Sequence, residues 1–295
     1  MQAVLARQPD LAQAHYGLGA IRYTLGDHAG AIEAYRQVLR LRPDYADAHY
    51  HLGLVLKLTN QDEAAAAEFL AAAASGLPQA QYFIGSAYAS GVGVERDLAA
   101  AIEWWFRAAD QHVAEAKEAL AQLRGVALVK GSSSAEDARA ALGAFAAFRK
   151  SLWRRFPDLP ADGDDSMGVS LLKHGRGKDA VPLLIREADA LSDPAQSALE
   201  VLYEQGLPGQ IEPHDPRILT YWKTAAEESL PRPRLALARI YARGLGVAQD
   251  LPKAAGLLKG LAGDHARELL KEISARQHDG VRAARNPQSE PGPSP

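Results

Sequence analysis

The 295-residue sequence predicts an all-α fold: an α-solenoid of stacked helix–turn–helix units wound into a right-handed superhelix. Three observations carry that reading. Alanine is abundant while valine and isoleucine are sparse, which favours helix over sheet. Residues 15–43 recur at 49–78 with a period of 34 residues. A second, longer pattern at 80–110 recurs at 234–264. One helix pair cannot bury its apolar face, so neighbouring pairs stack and share one elongated core. About fourteen helices and no sheet are expected on that basis.

In the first pair of repeats, Leu18-Gly19 returns as Leu52-Gly53, Ala31 as Ala65, and Tyr35 as Phe69. The small residues let two helices approach, and the aromatic fills the hollow beyond. This resembles the tetratricopeptide repeat, a helix–turn–helix unit of the same period. Departures are His15 and His49 where that pattern prefers tryptophan, and Arg22 and Leu56 where it prefers tyrosine. Pro78 also falls one residue late.

The resemblance implies a concave face lined by the first helix of each unit. Carried over, the lining positions are Gln13, Tyr16, Ala20, Tyr23 and Thr24, then Asp47, Tyr50, Leu54, Lys57 and Leu58. Chaperone-binding members place a carboxylate clamp of Lys and Asn where this chain has Tyr16 and Ala20, so a chaperone-tail adaptor is not expected. The lining is aromatic and apolar, suited to an extended or helical peptide.

The second pattern pairs Tyr88 with Tyr241, "GVGV" at 91–94 with "GLGV" at 244–247, Asp97 with Asp250, and Ala101 with Ala254. A looser copy at 195–228 keeps Ala195, Tyr203, Gly206 and "YWKTAA" around an enlarged turn. These segments resemble Sel1-like repeats. A glycine-rich turn before a helix can also cradle phosphate, but a dinucleotide fingerprint needs a preceding strand and a third glycine. Here "YFIGSAYAS" reads with helical period, position 96 is Arg, and the turn occurs twice. Gly91, Gly93, Gly244 and Gly246 are therefore expected to be structural, ending a helix in the left-handed conformation. Asp97 and Asp250 are expected to cap the helix that follows.

The remaining chain is less regular. Residues 114–125 read as a first helix whose partner has been replaced, and 132–156 as an amphipathic helix with Leu142, Phe145, Phe148, Leu152 and Phe156 on one face. "PDLPADGDD" at 157–165 reads as a linker, and 167–191 as a degenerate helix–turn–helix unit. "HARELLKEISARQ" reads as a capping helix, and from 279 the chain is polar and proline-rich enough to be disordered. The organisation expected is 1–78 tetratricopeptide units, 79–126 a Sel1-like unit, 127–165 an irregular insertion and linker, 166–278 degenerate and Sel1-like units with a cap, and 279–295 a tail.

Composition excludes several chemistries. The absence of cysteine removes disulfides, thiolate zinc sites and a cysteine nucleophile. His49 and His51 lie two apart on a helix and diverge, so they cannot share a metal. HExxH, EF-hand and GxSxG patterns do not occur. No enzyme activity, cofactor or metal is therefore expected. A net charge of −3 supplies no field for nucleic acid, and no apolar run is long enough to span a membrane.

Trp104-Trp105 invites a sugar-stacking or cation-binding reading, but Tyr221-Trp222 repeats it, which favours core packing with one ring partly exposed. "FRKSLWRRF" at 148–156 gathers Arg149, Lys150, Trp153, Arg154 and Arg155. It reads either as a contact for a polyanion or membrane surface, or as a solvated face balancing the acidic linker. "MQAVLARQPDLAQAHYGLG" lacks the regions of a signal peptide and reads as a repeat already under way, so the protein is expected to extend upstream. Neither cytoplasm nor periplasm is favoured.

The sequence thus predicts a non-catalytic scaffold that binds another protein or peptide through a concave helical face. One specific version is a periplasmic scaffold for exopolysaccharide or envelope assembly, which mixed chains of these two repeat families resemble. Another is a cytoplasmic module that sequesters a signalling protein. A hydrolase is disfavoured, because Sel1-like chains assigned such activities are rich in cysteine.

Overall fold

A computed structural model describes residues 9–128, 135–155 and 166–285. Within them lie fifteen α-helices and a short 3-10 turn, with no strand beyond an isolated bridge between Leu207 and Ile211. The chain divides into two compact units at residues 151 and 152. Within each, a helix packs chiefly on its neighbours in sequence.

The first unit contains α1 (Pro9–Thr24), α2 (His28–Leu41), α3 (Ala46–Leu58), α4 (Asp62–Ala74), α5 (Pro78–Ser90), α6 (Leu98–Asp110) and α7 (Ala114–Leu128), then nearly all of α8 (Ala135–Leu152). One interlock recurs in its three helix pairs. Gly19, Gly53 and Gly85 sit against the rings of Tyr35, Phe69 and Trp105, and a Cβ on any of them would fall within 2.7–2.8 Å of a ring atom. The glycine in each first helix thus admits the aromatic from the second, which is why the sequence repeats the two together.

The turns repeat as well. Asp27, Gln61, Leu77 and Val113 donate backbone N–H groups to the carbonyls of Arg22, Leu56, Ala72 and Ala108, closing each helix end. The left-handed residues there are Gly26, Asn60, Gly76 and His112. On α8 the buried face is Ala138, Ala141, Phe145, Phe148 and Leu152, and Phe148 stacks on Phe106 at 5.0 Å. Leu142, expected on that face, is instead exposed. In an alanine-rich helix the face turned by one residue buries Ala141 at little cost and keeps both phenylalanines inward.

The second unit contains α9 (Met167–Lys173), α10 (Gly177–Asp189), α11 (Asp193–Gln205), α12 (Pro216–Glu227), α13 (Pro231–Arg243), α14 (Leu251–Leu258) and α15 (Asp264–Arg285). Its core centres on the fully buried Trp222 with Leu184, Leu199, Tyr203 and Ile218. The degenerate unit is closed by a buried carboxylate. Glu187 on α10 accepts from the Ser166 hydroxyl at 2.6 Å, the Met167 N–H at 2.7 Å and the Gly168 N–H at 3.0 Å. Three donors at a helix N-terminus make burial of that charge tolerable.

α15 continues to Arg285, so residues 279–285 are helical where a tail was expected. Extending an existing helix adds one hydrogen bond per residue ordered, without a new nucleation cost. The remaining tail, 286–295, lies outside the described residues, as do the 157–165 linker and Phe156.

Candidate partner-binding groove

The glycine–aromatic interlock fixes the register of the first helices. Counting back three residues from Gly19, Gly53 and Gly85 gives Tyr16, Tyr50 and Tyr82, one tyrosine at the same groove position of α1, α3 and α5. Their rings join a continuous ladder. Tyr45 stacks on Tyr16 at 5.4 Å, Tyr16 meets His51 at 5.7 Å, and His51 meets Tyr50 at 5.2 Å. Tyr50 then meets Phe83 at 5.9 Å, and Phe83 meets Tyr82 at 5.6 Å. Contacts of this length and tilt suit the quadrupoles of aromatic rings.

The predicted lining residues divide into two groups. Tyr16 and Tyr50 are half-buried members of the ladder rather than freely exposed side chains. Gln13, Tyr23, Asp47 and Lys57 are exposed; Gln13 accepts from the Tyr45 hydroxyl at 3.0 Å. Lys57 lays its Nζ over the Phe83 ring at 5.3 Å. Below it, a cleft of about 320 Å³ is lined by Phe69, Phe83, Ser86 and Ser90.

Burial raises the pKa of the Tyr16 and Tyr50 hydroxyls, and that of Tyr35 to about 12. After burial, the next cause is Asp47 for Tyr16 and Glu115 for Tyr50. Glu115 stands on α7, so a carboxylate of that helix acts through space on a hydroxyl of α3. Burial lowers the His51 pKa, opposed by Asp47. All these rings are therefore uncharged at neutral pH. His49, which shares no face with His51, bonds Glu68 at 2.6 Å and the Pro43 carbonyl at 2.8 Å.

Sequence reasoning missed Tyr82, Glu115 and the ring partners His51 and Phe83. The signal for Tyr82 was present: extending the register through Gly85 into the third pair would have found it. Glu115 at an exposed helix start carries no such mark.

The glycine turns are structural in their geometry. Gly91 and Gly244 close α5 and α13 with φ of 75° and 70°. Asp97 accepts from the Ala99 and Ala100 N–H groups, and Asp250 from the Lys253 N–H. Gly93 is pressed against α4, where an added Cβ would lie 2.2 Å from the Asp62 carbonyl oxygen, and Gly246 lies against the His214 side chain. The open depression beside the first turn, about 800 Å³, is lined by Asp62, Glu63 and Glu95, which would repel a phosphate.

Of the tryptophan pair, Trp105 is buried and Trp104 half-buried beneath the Arg107 guanidinium at 4.6 Å. Trp222 and Tyr221 are both buried. The basic stretch is divided by the boundary between the units: Arg149 and Lys150 belong to the first, Trp153 and Arg154 to the second. The Arg155 side chain lies outside the described residues. Among the described residues no group of acids and histidines has the arrangement of a metal site, and no helix is long and apolar enough to cross a membrane.

Comparison with known proteins finds the same two repeat families. The TPR repeat model matches residues 21–60, and the Sel1 repeat model matches 78–113 and 234–259. No curated protein sequence matches the chain. Similar solved structures include c5321, a protective antigen present in uropathogenic Escherichia coli strains displaying an SLR fold. It is 22% identical over 92% of this chain, with a TM-score of 0.37, and this chain spans 62% of its length. A Sel1 repeat protein from Oxalobacter formigenes is 19% identical, covering 86% of this chain and 88% of its own, with a TM-score of 0.33. The TPR2AB domain of yeast Sti1, in a complex with pHSP90, is 17% identical over 92% of this chain and 97% of its own, also with a TM-score of 0.33. The chain is a helical repeat protein that joins tetratricopeptide units to Sel1-like ones.

Proposed function

We propose that the chain is a non-catalytic scaffold that holds a partner protein or peptide in the groove of its first unit. Repeats of these two families generally serve as protein-interaction scaffolds. The observation that carries the reading here is the ring ladder from Tyr45 to Tyr82, half-buried along the first helices of three successive pairs. Rings fixed by their neighbours lose little entropy when a partner covers them, and each offers a large amphipathic surface. The envelope-assembly and cytoplasmic-regulator versions both place the partner on this face.

Photocrosslinking in the source organism tests the proposal. A photoreactive phenylalanine at position 23 or 82 should capture a discrete partner, and one at exposed position 36 on α2 should not. Capture from position 36 alone would refute the groove.

A further inference from the structure

We infer that this groove selects a cationic segment of its partner, with Lys or Arg side chains laid on the tyrosine rings between Asp47 and Glu115. The inference rests on the groove reading above and adds the chemistry of the occupant.

The repeat register places acids along the groove. Ala116 and Leu120 are buried on α7 as Ala80 and Ile84 are on α5, so Glu115 and Glu118 occupy the groove positions that Gln79 and Tyr82 hold one unit earlier. Along the leading part of the first helices, the charged groove residues are then Asp47, Glu115 and Glu118, all acidic. Acids in the first turn stabilise a helix dipole, which accounts for Asp47 and Glu115 locally. Glu118 sits one turn further on, where that explanation ends, and among the described residues only Gln122, another groove position, bonds it, at 3.3 Å.

The carboxylates also converge. Asp47 acts on the Tyr16 hydroxyl and on His51, while Glu115 and Tyr23 act on the Tyr50 hydroxyl. Carboxylates from α3 and α7 therefore bear on the middle of one ring ladder. The chain also places its own cations on these rings. Near the ladder's ends, the Arg42 guanidinium lies over Tyr45 at 4.8 Å and the Lys57 ammonium over Phe83 at 5.3 Å. The rings already take cations where the chain supplies them, and Asp47 and Glu115 act electrostatically on the rings between. An acidic segment would meet like charge there, and a neutral one would desolvate the carboxylates without compensation.

Fluorescence anisotropy with three labelled peptides of equal length decides the matter. They share an alanine–leucine background and differ only in carrying Arg, Gln or Glu at the same alternate positions. The Arg peptide should bind about tenfold more tightly than the Gln peptide, and the Glu peptide least. Combined Asp47→Asn, Glu115→Gln and Glu118→Gln should weaken the Arg peptide about tenfold. Combined Glu33→Gln, Glu63→Gln and Glu136→Gln, the same change in net charge on exposed positions outside the groove, should leave it nearly unchanged. Equal weakening by the two triple variants, or failure of the Arg peptide to bind, overturns the inference. Equal binding of Arg and Gln peptides overturns charge selection but leaves the groove reading intact. If Tyr23→Ala with Tyr82→Ala changes the affinity of no peptide, the groove reading itself fails.

Discussion

The same repeat positions carry different chemistry in the two units. In the first, Tyr16, Tyr50 and Tyr82 hold the groove position, and their rings stack into a ladder rimmed by Asp47 and Glu115. In the second, Ser197 and Leu235 stand there, flanked by Arg232 and Arg239. Arg232 donates to Glu200 at 3.1 Å and to the Ser197 hydroxyl at 2.6 Å, and Arg239 reaches the other Glu200 oxygen at 3.3 Å. Arg243 and Arg276 likewise share Glu272. These guanidinium groups are satisfied by the unit's own carboxylates. The repeat aromatics of the second unit, Tyr203, Tyr221, Trp222 and Tyr241, are buried. A repeat pattern determines which positions face a groove; the residues chosen there decide whether that face is complete in itself or offers a surface to something else.

The largest expected effect tests the inward and outward use of aromatics. Trp222→Ala should cost about 3–5 kcal/mol, because it removes a fully buried ring and leaves a cavity. Tyr82→Ala, on a half-buried ladder ring, should cost about 1 kcal/mol. Denaturant unfolding followed by circular dichroism measures both, and equal losses would erase the distinction between the units.

An intermediate effect separates the two glycine turns. Gly93→Ala forces a side chain into the left-handed region and against the Asp62 carbonyl, so about 2 kcal/mol or more should be lost. At Gly246 the obstacle is the His214 side chain, which can move, and Gly246→Ala should cost about 1–2 kcal/mol. The reverse order in melting temperature would mean that the first turn yields more readily than its backbone contact implies.

The smallest effect is a pH dependence confined to the first unit. The folded-state pKa of His51 lies below the ordinary imidazole value of 6.5, so the unfolded chain takes up the proton first on acidification. The stability this contributes is complete above that value and is lost as pH falls through it toward the folded pKa. His51→Gln should therefore narrow the difference in melting temperature between pH 7.5 and pH 5. An unaltered difference would show that the imidazole does not titrate against folding.

Much of this was legible in the sequence because it is local or periodic. Gly91 with Asp97 and Gly244 with Asp250 are recognisable because a helix end needs a left-handed residue and a helix start needs an acceptor within three residues. The equivalence of Tyr16 and Tyr50 follows from the 34-residue period and the glycine–aromatic pairs, which could have been carried on to Tyr82. Leu142 was misplaced because an alanine-rich helix offers two nearly equivalent apolar faces, and packing against Phe106 chooses between them.

By itself, then, the sequence determined the helical class, the two repeat families and the turn chemistry, since all of these depend on residues a few positions or one period apart. The tertiary structure alone decided that Glu187 caps a helix twenty residues behind it, that Tyr16 and Tyr50 are bound into a ladder through His51, and that Glu115 bears on a tyrosine of α3. The physical reason is distance along the chain. Burial and electrostatics act through space, and neither leaves a mark in the sequence until the helices are stacked.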